Sequence, residues 1–204
     1  MIYITTLLYG LIFSYIGLLS PGMLNMTALK TKLLIGTKES IQFAIGAAMI
    51  VFFQAGLALL FADILIQNPW IIEKLKVGAI FVFFGLSISF YMLTRRKKSK
   101  EIAPKRGAFL LQGMGMSIIN MLAIPFYLGV GIFLIDSGIL VLEKPFIFLF
   151  IVGATLGSFL LFFTYILLAN QIIKRFYFIA KNINYILSLL FLCLGIITII
   201  KVIT

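Results

Sequence analysis

Two polar interruptions lie inside long apolar stretches of this chain. The first is Ser20-Pro21-Gly22, with Asn25 shortly after it, and the second is Asn120 followed by Pro125 and Tyr127. Proline has no main-chain N–H, and its ring clashes with the carbonyl group four residues earlier, so a helix is bent or broken there. A broken helix exposes unpaired donors and acceptors, which can bind the polar ends of a small solute.

The two interruptions predict complementary binding chemistry. A half-helix starting near Gly22 would direct the free N–H groups of residues 22–25, with their partial positive charge, toward a substrate carboxylate. In the second interruption, Pro125 would release the carbonyl group of Met121, which then becomes an acceptor beside Asn120. Donors from one interruption and acceptors from the other could hold both ends of a zwitterion.

Two further polar side chains lie within apolar runs. Gln54 occurs in VFFQAGL and is expected to face other helices, as a substrate ligand or as a structural hydrogen-bonding group. Asp63 occurs in LLFADILI and is the candidate for an ion-coupling carboxylate, or an interfacial residue that reaches water. The structural alternative also applies to the prolines and asparagines, because kinks and polar contacts between membrane helices are common without any binding role.

The composition defines the surroundings of these residues. Of the 204 residues, 63% are hydrophobic and 11% are charged, whereas about a quarter of a soluble domain is charged. If this chain folded as a soluble protein, almost all of its surface would be apolar. We therefore predict an all-α integral membrane protein in contact with lipid.

Six apolar segments are long enough to span a membrane. If the N-terminus is outside, three loops lie together on the opposite side of the membrane. These loops hold thirteen of the seventeen Lys and Arg residues, and they are 30–40, 94–107 and 171–182. Because this excess marks the cytoplasmic side, both termini are predicted outside, and the basic loop 94–107 cytoplasmic. The six predicted spans are about 2–29, 41–66, 71–93, 108–135, 145–170 and 183–203.

The two halves of the chain resemble each other. Gly46-Ala47-Ala48 in the second span corresponds to Gly153-Ala154-Thr155 in the fifth, and both halves open with a long span that contains a proline. Three spans per half invert the second half relative to the first, as in many secondary transporters. The predicted organisation is a three-helix repeat at 1–93, the loop 94–107 and a second repeat at 108–204, with helices 1 and 4 broken at proline.

Residue types absent from the chain exclude several functions. There is no His and only one Cys, and none of the GxxxxGK[ST], HExxH or GxSxG motifs occurs. No enzyme activity, metal or cofactor is therefore predicted. The net charge of +11 is spread over short loops without a basic, aromatic-interleaved patch, so nucleic acid is not an expected partner. A passive channel or a structural membrane subunit is the alternative to a transporter.

Several of these segments resemble the lysine exporter (LysE/RhtB-type) superfamily of amino-acid exporters. Ser20-Pro21-Gly22 with Asn25 is similar to the family's Ser-Pro-Gly-Pro motif, which is usually followed by Asn. The segment 120–123 is similar to its Asn-Pro-Lys-Ala motif, and the run GTKESIQFAIGAA at 36–48 to its small-residue entry into the second span. The chain departs from these motifs at three positions: Met23 and Met121 replace prolines, and Leu122 replaces the lysine.

The resemblance implies an exporter of amino acids or similar small metabolites, driven by an ion gradient, in a bacterial-type inner membrane. Protons are the expected coupling ion. Because the spans hold no deeply placed acidic residue that would pair with a cationic substrate, neutral amino acids are the expected substrates. The glycines would permit close pairing of helices between copies, so a homo-oligomer is compatible with the sequence.

Overall fold

A computed structural model describes most of the chain. The described residues are 2–19, 22–68, 70–71, 107–120 and 122–172, with isolated positions between 80 and 92 and between 185 and 200. The third and sixth predicted spans and the basic loop 94–107 lie largely outside them. The prediction of six spans in two inverted repeats therefore stays a prediction.

Six helices make up most of the regular structure of the continuous described ranges. The first gap between them falls in the predicted segment Ser20-Pro21-Gly22, whereas the second predicted interruption begins at Asn120 and not at Pro125. The helices are α1 (Ile2–Gly17), α2 (Met23–Leu34), α3 (Thr37–Gln67), α4 (Phe109–Ile119), α5 (Ala123–Asp136) and α6 (Lys144–Leu167).

Helix length separates complete spans from half-spans. The hydrocarbon layer is about 30 Å thick, so crossing it takes about 20 residues. With lengths of 31 and 24 residues and a largely apolar composition, α3 and α6 are long enough, and they match the predicted second and fifth spans. The shorter helices α4 and α5 form a third span only if they are taken together, with a bend of 65° between them.

Apolar side chains cover the outer surface of the long helices. Phe53 on α3 and Leu167 on α6 are 64% and 65% exposed, and Ile4 on α1 is 67% exposed. In water these side chains would form an unfavourable apolar surface, whereas in a bilayer they contact lipid tails. This surface agrees with the membrane location predicted from composition.

The chain divides into two compact units, each of which draws residues from both halves of the sequence. The first comprises Met1–Ile66 and Pro104–Lys174, and the second Gln67–Ala103 and Arg175–Thr204. In the second unit, the Ser87 hydroxyl donates to the main-chain oxygen of Ser188, and the Ser188 hydroxyl donates to that of Ser87, each at 2.9 Å. This reciprocal pair joins the third and sixth predicted spans.

In the first unit, α1 packs along α6 through glycines. A Cβ atom on Gly10 would overlap the main-chain oxygen of Phe150 and lie 2.9 Å from the nitrogen of Ala154. A Cβ atom on Gly153 would overlap the main-chain oxygen of Leu7. Because only hydrogen occupies these positions, the two backbones can approach closely, as small residues allow in membrane helix pairs.

The contact between α4 and α3 repeats this arrangement. A Cβ atom on Gly113 would overlap the oxygen of Phe43 and approach the nitrogen of Ala47, and one on Gly46 would overlap the oxygen of Leu110. Five residues of the first crossing thus have a counterpart of the same type in the second, whereas the contact of Gly157 with Leu11 has none. The corresponding pairs are Leu7 and Leu110, Gly10 and Gly113, Phe43 and Phe150, Gly46 and Gly153, and Ala47 and Ala154.

A buried apolar cluster fills the centre of this unit. Ala55, Ala58 and Leu59 of α3 pack with Tyr127 of α5 and Phe150 of α6. All five side chains are fully buried. The small alanines on α3 let the neighbouring helices pack closely, and they leave room for the aromatic rings of Tyr127 and Phe150.

Candidate functional site

The first interruption separates α1 from α2. Helix α1 ends at Gly17, and α2 begins after Gly22, whose extended backbone (φ −76°, ψ 178°) serves as the N-cap. Ser20 and Pro21, two of the predicted site residues, lie outside the described residues. The break therefore falls in the predicted segment, but the contribution of Pro21 itself stays a prediction.

Side chains from two other helical segments satisfy the carbonyl groups at the end of α1. The Asn25 amide nitrogen donates to the main-chain oxygen of Leu18 at 2.7 Å. The Tyr165 hydroxyl donates to that of Leu19, also at 2.7 Å, and the Asn25 side chain also interacts with Tyr165. Asn25 is 4% exposed and Tyr165 is buried. Asn25 on α2 and Tyr165 on α6 thus stabilise the conformation of the chain at the first break.

The N-terminal end of α2 carries main-chain donors. Among the described residues, the N–H of Met26 donates to the main-chain oxygen of Gly22 at 3.0 Å, which closes the first turn of this helix. First-turn N–H groups, here including those of Met23 and Leu24, have no acceptor within a helix. Gly22 provides no side-chain cap. These are the donors that the sequence analysis assigned to a substrate carboxylate.

The second interruption begins earlier than predicted. Helix α4 ends at Ile119 with the half-buried Asn120 as its C-cap, and α5 begins at Ala123. Pro125 is the third residue of α5 and is exposed, so placing the break at this proline was wrong. In the first turn the missing N–H of proline costs nothing, because that group has no helical partner in any case.

Gln54 reaches the end of α4 from the middle of α3. Its amide nitrogen donates to the main-chain oxygen of Ser117 at 2.9 Å, and the N–H of Asn120 donates to the same oxygen at 3.0 Å. Gln54 is 7% exposed and Ser117 is fully buried. The structure therefore brings together two predicted site residues, Gln54 and Asn120, through a serine that the sequence analysis did not select.

The two interrupted spans touch each other beside their breaks. The Ser14 hydroxyl on α1 and the Tyr127 hydroxyl on α5 are 2.7 Å apart, and both residues are fully buried. One turn further along α1, a Cβ atom on Gly17 would overlap the ring of Phe126. The end of α1 thus lies against the start of α5, which places Tyr127, a predicted site residue, between the two interrupted segments.

Ser14 and Ser117 were missed, although their spacing marks both. Each follows a close-contact glycine by four residues, in Gly10-Leu-Ile-Phe-Ser14 and Gly113-Met-Gly-Met-Ser117. Four residues are about one helical turn, so each serine lies on the same helix face as its glycine. No comparable sequence pattern marks Tyr165, because its contact with Leu19 depends on how α1 and α6 pack.

Asp63, the predicted ion-coupling residue, lies apart from the breaks along α3. It is half-buried and nine residues beyond Gln54, which is about 13 Å along the helix axis. Within the described ranges, no three Cys, Asp or Glu side chains are grouped as a metal site would require.

A double-mutant cycle on Ser14 and Tyr127 tests whether the interrupted spans are coupled. Ser14→Ala and Tyr127→Phe should each lower the free energy of unfolding, and the double variant should lose less than the sum of the two. We expect a coupling of about 0.6 to 1.7 kcal/mol, the range for hydrogen bonds between membrane helices. The measurement is the unfolding of purified protein in detergent, and additive losses would show that the two hydroxyls do not interact.

Comparison with known proteins supports the resemblance found in the sequence. The model of the LysE type translocator family matches residues 15–201, which include both interruptions and all the helices after α1. Neither the curated proteins nor the solved structures include a match to this chain. Since the family model covers most of the chain, the prediction of its family is confirmed, and the protein belongs to the LysE type translocator family of membrane exporters of small molecules.

Proposed function

We propose that this protein exports neutral amino acids or closely related metabolites and that protons drive the export. The observation that carries the proposal is the contact between two interrupted spans, made by the buried hydroxyls of Ser14 and Tyr127. Interrupted helices that meet inside a membrane protein offer main-chain donors and acceptors to a solute. Membership of a translocator family supports transport as the use of these groups.

The charge around the breaks favours a zwitterionic or neutral substrate. Residues 14–25 and 117–127 contain no ionisable acid or base apart from the tyrosines. A cationic side chain such as that of lysine would need a carboxylate partner in this apolar setting. An α-amino acid instead carries both charges itself, and the donors at the start of α2 suit its carboxylate.

The matching helix crossings support an inverted repeat. A two-fold operation that carries the first span onto the fourth must also carry the fifth onto the second. The contact of α1 with α6 then becomes the contact of α4 with α3, which agrees with the shared residue types at both crossings. With three spans in each half, the halves have opposite orientations in the bilayer. We retain both termini outside and the loop 94–107 in the cytoplasm.

Reconstitution into liposomes tests the proposed transport. Vesicles with an acidic interior should accumulate an added neutral amino acid above its external concentration, because protons leaving the vesicle would drive the exchange. A protonophore should abolish the accumulation. Entry that only equalises the concentrations, with or without the pH gradient, would instead favour the passive channel. Absence of any protein-dependent flux across a panel of neutral amino acids would reject the proposal.

Asp63→Asn tests the proposed coupling residue. If Asp63 carries the proton, this variant should lose gradient-driven accumulation but keep the exchange of labelled for unlabelled substrate, which needs no net proton movement. Glu39→Gln is the matched control, because Glu39 is also half-buried and lies in the first turn of the same helix. Accumulation by Asp63→Asn at the rate of the unmodified protein would remove Asp63 from the mechanism.

A further inference from the structure

Two buried oxygen atoms at the end of α4 have no hydrogen-bond partner within the described part of the protein. They are Oε1 of Gln54 and Oγ of Ser117. Both side chains are more than nine-tenths buried. Buried polar atoms are nearly always paired, so two unpaired oxygens in one hydrogen-bonded pair of residues point to a ligand.

The hydrogen-bond pattern determines which atom of the Gln54 amide is unpaired. The Ser117 main-chain oxygen can only accept, so the amide nitrogen must face it and Oε1 must face away. That main-chain oxygen already accepts from Gln54 and from the N–H of Asn120, which uses both of its lone pairs. A ligand would therefore contact Oε1 of Gln54 and Oγ of Ser117.

Ser117 also departs from the usual behaviour of helical hydroxyls in this protein. The hydroxyls of five other helical residues donate to main-chain oxygens three or four residues earlier in their own helix. A serine in the interior of α4 could do the same, but Ser117 does not, and its Oγ stays available. The five residues are Thr27, Thr31, Thr155, Ser158 and Thr164.

We propose that Gln54 Oε1 and Ser117 Oγ form an uncharged site for a monovalent cation. The cation is either the primary ammonium group of the transported solute or a free sodium ion, and the first case rests on the proposed function. Oε1 is an acceptor only, so its partner must donate a hydrogen bond or carry positive charge. The C-terminal end of α4 adds partial negative charge, which also favours a cation.

The absence of a carboxylate from this part of α3 limits the charge of the ligand. Asp63 is nine residues from Gln54 and Glu39 is fifteen, so both lie well beyond direct contact along the helix. A divalent ion in an apolar setting would need ionised ligands. Neutral oxygens at the end of an interrupted helix instead suit sodium or an ammonium group.

Thermal unfolding of the purified full-length protein in detergent tests the site without requiring transport. The probes are sodium chloride and methylammonium chloride, with tetramethylammonium chloride maintaining constant ionic strength. Tetramethylammonium has no N–H and is too large for a two-oxygen site. We expect sodium or methylammonium to raise the unfolding temperature in a saturable manner. A response to methylammonium would indicate that the site binds the ammonium group of the solute, and a response to sodium would indicate a free sodium ion.

Two substitutions should remove this response. Ser117→Ala deletes one ligand oxygen, and Gln54→Met deletes the other together with the amide donor to the Ser117 main-chain oxygen. Each change alters the side-chain volume little, and each should raise the apparent Kd by about tenfold or more. Ser158→Ala is the matched control, because Ser158 is equally buried but its hydroxyl donates to the oxygen of Thr155. It should respond to the cation like the unmodified protein.

The outcomes separate this inference from the proposed function. If neither cation exceeds tetramethylammonium, or if both substituted proteins respond like the unmodified one, the site is not a cation site and water satisfies the two oxygens. That result can occur while amino-acid export is intact, and it would overturn this inference alone. A sodium response that disappears in Ser117→Ala, in a protein that moves no amino acid, would reject the proposed function alone.

Discussion

Gly113→Ala is expected to destabilise the protein, whereas Gly115→Ala, two residues away in the same helix, is not. A Cβ atom at 113 overlaps the main-chain oxygen of Phe43, so α3 and α4 would have to separate. A Cβ atom at 115 has no atom within 4 Å. Overpacking costs about 1–3 kcal/mol, occasionally more, whereas alanine in a helix interior is favoured over glycine by about 0.5–1 kcal/mol.

The measurement for this pair is the free energy of unfolding of each purified protein in detergent. Gly10→Ala extends the test, because Gly10 makes the corresponding contact with Phe150 at the other crossing. If the two crossings are equivalent, Gly10→Ala and Gly113→Ala should cost similar amounts. Equal stability of Gly113→Ala and Gly115→Ala would show that α3 and α4 do not approach as closely as described.

Asn25→Ala should have the largest effect on transport. This substitution removes the donor to the Leu18 main-chain oxygen and the contact with Tyr165. Both groups at the first break therefore lose a hydrogen-bond partner at once. Leaving a buried polar group unpaired costs about 1–3 kcal/mol. Because the substrate would bind at this break, we expect export to fall by about tenfold or more even where the protein still folds.

Two further variants separate positioning of the break from general loss of stability. Tyr165→Phe removes the donor to the Leu19 oxygen and the contact with Asn25, but it leaves the bond from Asn25 to the Leu18 oxygen in place, so it should lower export less than Asn25→Ala. Thr27→Ala is the control on α2, since its hydroxyl bonds to the Met23 oxygen within the same helix. Export and thermal stability are measured for all three, and wild-type export by Asn25→Ala would exclude Asn25 from the site.

The membrane class and the two long helices of the first unit were readable from the sequence. The predicted spans 41–66 and 145–170 match α3 and α6 within a few residues, because twenty or more apolar residues must satisfy their backbone as a helix in lipid. Helix α2, however, runs to Leu34 and includes Lys30 and Lys32, which were assigned to a loop. Lysine is a good helix former, so a basic residue ends the apolar stretch without ending the helix.

The break in the fourth span was predicted from Pro125 and found at Asn120. Proline disrupts a helix only where its N–H would have been bonded, and that depends on where the helix starts. At Asn120 the carbonyl of Ser117 is held by Gln54, a residue 63 positions earlier. No local pattern in the fourth span contains that contact, so the position of the break could not be read from the span alone.

The sequence by itself determined the membrane environment of this protein, its family and the position of the first interruption in its apolar helices. These properties depend on composition and on residues close together in the chain, which act through local backbone geometry. Only the tertiary structure decided which side chains meet at the interruptions: Ser14 with Tyr127, Gln54 with Ser117, and Asn25 and Tyr165 with the end of α1. In lipid, a buried polar group has no water to bond, so its partner is whichever donor or acceptor helix packing brings within about 3 Å.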